Sequence, residues 1–70
     1  MKYQNLIDML TTLLTRKSVT AREFAERYNI SQRSVYRYIE DLIVSGVPVE
    51  TARGRSGGFY IPDTFKMPSG

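Results

Sequence analysis

The sequence contains no cysteine and no histidine. Without cysteine there is no disulfide framework and no thiolate metal site, and without histidine the commonest general base and metal ligand is missing. Zinc modules and thiol chemistry are thereby excluded. No stretch reaches the ~18 apolar residues that a membrane span needs. The opening Met1-Lys2-Tyr3-Gln4-Asn5 lacks the apolar run and small-residue cleavage site of a signal peptide, so a cytoplasmic protein is expected. A chain of 70 residues has room for one small domain, because at this size only about 60% of the unfolded surface is buried on folding.

What is present is a basic balance. Ten Lys and Arg stand against seven Asp and Glu, giving a net charge of +3 and a pI near 9.5. That balance fits a polyanionic partner, and it equally fits an ordinary solvated face. Placement carries more information: Arg33, Arg37, Arg53 and Arg55 lie in the second half, with Glu40, Asp41 and Glu50 as the acidic neighbours before Asp63.

Between Lys2 and Thr15 the residues Tyr3, Leu6, Ile7, Leu10, Leu13 and Leu14 recur at three- and four-residue steps, which predicts a first helix. Thr20-Ala21-Arg22-Glu23 has the form of a capping box, with the Thr20 hydroxyl accepting from the Glu23 N–H and the Glu23 side chain reaching back. A second helix of about two turns starts there, with Phe24, Ala25 and Tyr28 on its apolar side, and Asn29 as a left-handed stop. Ser31 is the next N-cap. Val35, Ile39 and Leu42 then form the core stripe of a third helix from about Gln32 to Ser45, which Gly46 ends.

After Gly46 the period falls to two: Val47, Val49 and Thr51 alternate with Pro48, Glu50 and Ala52, and Phe59-Tyr60-Ile61 forms a second strand-like run. Pro48 suits an edge or strand-start position. The intervening Arg53-Gly54-Arg55-Ser56-Gly57-Gly58 reads as a hairpin tip. It lacks the spacings of nucleotide phosphate loops, and no helix follows it. From Pro62 no period remains, so the expected organisation is one domain over 1–61 and a linker or disordered tail over 62–70. The expected fold class is mainly α with a small β-hairpin (α+β), three helices plus a two- to three-stranded antiparallel sheet.

The turn Tyr28-Asn29-Ile30-Ser31 joins a short helix to a longer one after a supporting helix. This is the helix-turn-helix arrangement, although an αα-hairpin without a ligand can show the same turn. Helix phase adds to it. At 100° per residue from Val35, Arg33, Tyr36, Arg37 and Glu40 fall between about 100° and 200°, away from the core stripe. Arginine can pair bidentately with guanine O6 and N7, tyrosine can reach a phosphate or a thymine methyl, and Gln32 can read adenine or cap the helix. Ser31 and Ser34, beside free N–H groups at the helix N-terminus, suit a phosphate oxygen. Arg22 is placed to touch the DNA backbone. Arg53 and Arg55 sit on a backbone thin enough to lie along phosphates or enter the minor groove, unless the tip is a plain solvated hairpin. Tyr36 can also serve as a partly buried edge aromatic, and Tyr38, nearer the core stripe, is expected to pack.

From Val19-Thr20-Ala21 to Ile61 the chain resembles the N-terminal winged helix-turn-helix of DeoR-type and WYL-domain bacterial transcriptional regulators. The residues that carry this are Val19 to Tyr28, then Ile30-Ser31-Gln32-Arg33-Ser34-Val35-Tyr36-Arg37, then Gly46-Val47-Pro48-Val49 and Gly57-Gly58-Phe59-Tyr60-Ile61. Where that family usually reads Tyr-Arg-Asp-Ile, Tyr38 stands in place of the acidic residue. The resemblance implies sequence-specific binding of double-stranded DNA, with no cofactor. It also implies a homodimer joined through a region absent from this chain. The competing class is a protein-interaction or dimerisation module without DNA, which calls for an exposed apolar patch beside Arg33 and Arg37 where the sequence shows none. Nothing assembles a catalytic constellation.

Overall fold

The computed structural model describes residues 3–52 and 58–66. Within them the chain runs α1 (Tyr3–Thr15), β1 (Val19–Thr20), α2 (Ala21–Tyr28), α3 (Gln32–Val44), β2 (Glu50–Thr51), β3 (Gly58–Tyr60) and α4 (Asp63–Lys66). The architecture is a three-helix unit, α1 to α3, with a small antiparallel sheet and a terminal helical turn, the winged helix-turn-helix that the resemblance implies.

Each helix boundary has a local cause. Thr20, extended at φ −82° and ψ 157°, accepts at Oγ1 from the Glu23 N–H at 3.0 Å and so starts α2. The reciprocal half of the expected capping box is replaced, because the Glu23 carboxylate turns to the Arg16 guanidinium. Asn29 takes the left-handed conformation, φ 56° and ψ 49°. From there the Asn29 N–H donates to Glu26 O at 3.4 Å, and the Ile30 N–H to Ala25 O at 3.0 Å. This pair of bonds is a Schellman closure. The same closure ends α3, where Gly46 at φ 105° donates to Ile43 O and Val47 to Leu42 O, both at 3.0 Å. Two helices thus stop at residues chosen for positive φ.

The core draws on every layer. Met9 and Leu13 from α1, Phe24 from α2, Val35, Ile39 and Leu42 from α3, and Phe59 and Ile61 around β3 are buried together. Phe24 stacks on Tyr28 with ring centroids 5.9 Å apart. A polar clamp ties α1 to α2: the Asp8 carboxylate accepts from the Tyr28 hydroxyl at 2.6 Å and pairs with the Arg27 guanidinium at 3.0 Å. Burial and the Asp8 hydrogen bond raise the Tyr28 phenol above its ordinary pKa.

The sheet has the order β1-β3-β2, antiparallel throughout, with Val19 opposite Phe59 and Glu50 opposite Tyr60. The strand after Gly46 is shorter than its alternation implies, starting only at Glu50, so Pro48 lies ahead of it. The third strand comes from Val19–Thr20, two residues that sequence alone assigns to the approach of α2. Gly58 sits where strands crowd, since a Cβ there would lie 3.3 Å from the Ser18 Cβ. Beyond Ile61 the chain forms one helical turn, α4, where four residues are too few to show a period.

Candidate nucleic-acid interface

The interface is built outward from the α3 core stripe. Val35, Ile39 and Leu42 are buried, which fixes the rotation of the helix and turns Gln32, Arg33, Tyr36, Arg37 and Glu40 to solvent. Ser31 caps the helix, its Oγ accepting from the Ser34 N–H at 3.1 Å and donating to the Ser34 Oγ at 3.1 Å. Both polar functions of the Ser31 hydroxyl are therefore used within the cap. Ser34 keeps its own O–H as a donor at the helix N-terminus.

The arginines divide into two groups. Arg16 pairs with Glu23, Arg22 with Glu26 at 3.2 Å, and Arg27 with Asp8, all on or between α1 and α2. Among the described residues Arg33 and Arg37 on α3 have no carboxylate partner, and the first turn of α3 carries no acidic residue. Arg33 thus stands in the first turn of α3, where the helix dipole favours an anion, and Arg37 follows one turn later on the same face. Arg22 is engaged with Glu26, although this pair is exposed and so contributes little, about 0–1 kcal/mol.

Tyr36 takes the partly buried edge position that the sequence allows it. It is 53% exposed on the arginine face, while its ring meets Phe59 of β3 edge to face, centroids 5.4 Å apart and planes at 76°. Tyr38 packs half-buried against the core. Arg53 and Arg55, and the tip from 53 to 57, lie outside the described residues. The mouth of that hairpin is described: the Ala52 N–H donates to Gly58 O at 2.7 Å.

Two features are absent from the sequence reading. A groove of about 380 Å³ runs between α3 and the sheet, with Arg33, Tyr36, Arg37 and Ile43 on the helix side and Thr51 and Phe59 on the sheet side. Ile43, 48% exposed, lies two turns past Tyr36 on nearly the same side of the helix, a position readable from its phase. A second hollow of about 440 Å³ is lined by Ser34, Arg37, Tyr38, Glu40 and Asp41, which places two carboxylates alongside Arg37 without an ion pair forming. On the sheet, the exposed Tyr60 hydroxyl donates to Glu50 at 3.1 Å, and that bond raises the phenol's pKa.

No helix among the described residues is long and apolar enough to cross a membrane. A family model described as HTH domain matches residues 5–60. The chain is 37% identical over 67 residues to a protein of Bacillus subtilis (strain 168) named as an uncharacterized HTH-type transcriptional regulator, YobV. The match covers 96% of this chain and 21% of that protein, so the chain spans about a fifth of its relative's length. No solved structure matches at a significant level. The agreement runs from α1 through the α2–α3 turn to the central strand, and the chain belongs to the HTH domain family.

Proposed function

We propose that this domain binds double-stranded DNA sequence-specifically as the DNA-reading part of a transcription regulator in the cytoplasm. α3 enters the major groove N-terminus first, with Arg33 and Arg37 on base edges, Tyr36 and Gln32 beside them, and the capped end at Ser31 and Ser34 toward phosphates, the Ser34 O–H being the side-chain donor left free by the cap. Arg22 reaches the backbone by exchanging Glu26 for a phosphate. Arg53 and Arg55 act from the wing at 53–58, on phosphates or in the minor groove. The observation that carries this reading is the pair Arg33 and Arg37, exposed and without a carboxylate on the second helix of the motif.

The kinship with DeoR-type and WYL-domain regulators rests on the run Ile30 to Arg37 with Gly46-Val47-Pro48. It brings with it regulation of transcription, which the name of the B. subtilis relative also states, and pairing through chain beyond these 70 residues. Selection from random duplexes followed by titration at two salt concentrations tests the whole reading. A recovered motif with a slope of log K against log salt of about −3, as three arginine–phosphate contacts give, supports it. Enrichment of no sequence, with the same affinity for every duplex, refutes base reading.

A further inference from the structure

The outward face of α3 carries one charged side chain to which the DNA reading gives no task. Measured at about 100° per residue from Val35 on the core stripe, Tyr36 stands at ~100°, Arg33 at ~160° and Arg37 at ~200°. Glu40 stands at ~140°, in the middle of that face, and is exposed. It also lines both hollows, the groove shared with Arg33, Tyr36 and Arg37 and the one shared with Ser34, Arg37 and Asp41. Positions 33, 36, 37 and 40 are spaced i, i+3, i+4 and i+7, the set with which a helix lying along the major groove meets base edges.

The fold itself gives this carboxylate no partner. Among the described residues it forms no ion pair and no side-chain hydrogen bond. Arg37 lies three residues before it, and a cation N-terminal to the anion is the poorer order for pairing along a helix. Glu40 is also past the first turn of α3, so the helix dipole does not favour it.

We propose that Glu40 is a specificity-determining residue of the DNA interface, accepting a hydrogen bond from the N4 amino group of a cytosine in the major groove. The inference rests on the DNA reading above and deepens it. The base follows from the chemistry of the acceptor. A carboxylate has no proton to donate, so guanine, with its N7 and O6 acceptors, and thymine, with O4 and a methyl group, offer it no bond. Adenine sets the N7 acceptor beside its N6 donor, and that lone pair repels an anion. Cytosine alone presents a donor with no acceptor on the same edge. Three residues at ~1.5 Å put Glu40 about 4.5 Å along the axis from Arg37, comparable to one ~3.4 Å base step, so the cytosine belongs next to the guanine that Arg37 holds. The carboxylate also acts by refusal, weakening any register that brings a phosphate or a base acceptor to that place.

Selection from random duplexes with the wild-type chain, Glu40→Gln and Glu40→Ala tests this. The expected wild-type motif has cytosine beside the guanine, favoured about fivefold, the lower end of what one good base contact gives. Glu40→Gln should move that preference to adenine, because an amide can accept from N6 and donate to N7, and Glu40→Ala should accept all four bases. Both should bind random DNA about two- to threefold more tightly at low salt, as loss of one anion about 7 Å from a phosphate gives. N4-methylcytosine at that position keeps its pairing but covers the groove-facing proton; it should cost the wild type about fivefold and Glu40→Ala nothing. Asp41→Asn removes the same charge at ~240°, off the face, and should leave the motif as it is. A motif unchanged in both Glu40 variants overturns the proposal. So does loss of the neighbouring guanine in Glu40→Ala, which would make the carboxylate a support for Arg37. A wild-type motif without the cytosine overturns this inference alone and leaves the DNA reading standing, whereas recovery of no motif overturns both.

Discussion

Replacing Arg33 by alanine should move binding and stability in opposite directions. Arg33 is the second residue of α3, at the end where the helix dipole is positive, and an exposed cation there is unfavourable by about 0.3–1 kcal/mol at low salt. Arg37 follows four residues later on the same face and adds a like-charge repulsion of a few tenths of a kcal/mol. Among the described residues neither arginine forms an ion pair, and Arg33 has no carboxylate three or four residues away on its own helix. Arg33→Ala should therefore stabilise the free domain by about 0.5–1 kcal/mol, which for a domain of this size raises Tm by about 2–8 °C. On the selected duplex the same change should cost ~1–3 kcal/mol, a fivefold to 150-fold loss, with a smaller loss on random DNA. Calorimetry at 20 mM and 200 mM salt, paired with fluorescence anisotropy on both duplexes, reads the two signs, and the stability gain should shrink as salt screens it. A lowered Tm together with unchanged DNA affinity would refute the reasoning, because it would mean that Arg33 serves the fold.

The buried ring of Phe24 is fully shielded, so Phe24→Ala should cost about 3–5 kcal/mol, most of the stability of a small domain, and urea titration should show the chain largely unfolded. Asn29→Ala places a β-carbon at φ 56° without the amide that makes this tolerable, and should cost about 1 kcal/mol, whereas Asn29→Gly should be nearly neutral in the same titration. The Tyr28 phenol has a raised pKa in the folded state, so its contribution is fully present below the ordinary tyrosine pKa of 10.0 and is lost as pH climbs from there through the folded-state value. Tm measured from pH 8 to 12 should fall more steeply for the wild type than for Tyr28→Phe, which keeps the stack on Phe24 and removes the ionising group; parallel curves would assign the alkaline loss to other tyrosines.

Features set by neighbours in sequence were legible before any coordinates. The Thr20 and Ser31 caps, the left-handed stops at Asn29 and Gly46, and the orientation of α3 all follow from three- and four-residue spacings, and the outward face of α3 follows from the buried one. Features that depend on distant partners were not. Tyr36 could be placed at the domain edge but its packing partner could not be named, because Phe59, which holds its ring, lies on a strand after the wing. The Asp8 clamp on Tyr28 joins residues of different helices and has no local signature. β1 is two residues long and doubles as the lead into α2, so its pairing with β3 becomes visible only when the wing folds back. The Glu23 carboxylate had a reasonable local partner in the Thr20 N–H, and Arg16, a charged group across the loop, took it instead.

The middle position of β3 has a mechanical consequence. Gly58 and Phe59 are bonded on one side to the pair Val19–Thr20, whose second member starts α2, and Phe59 rests on Tyr36 of α3. The root of the wing is thus strapped to both helices of the motif, and shifting it would have to break a ladder or unseat a cap. A duplex lying against α3 and the root of the wing at Gly58–Phe59 would meet them at a set separation, as between the jaws of a calliper, and groove width would be felt as strain even at base pairs that no side chain touches.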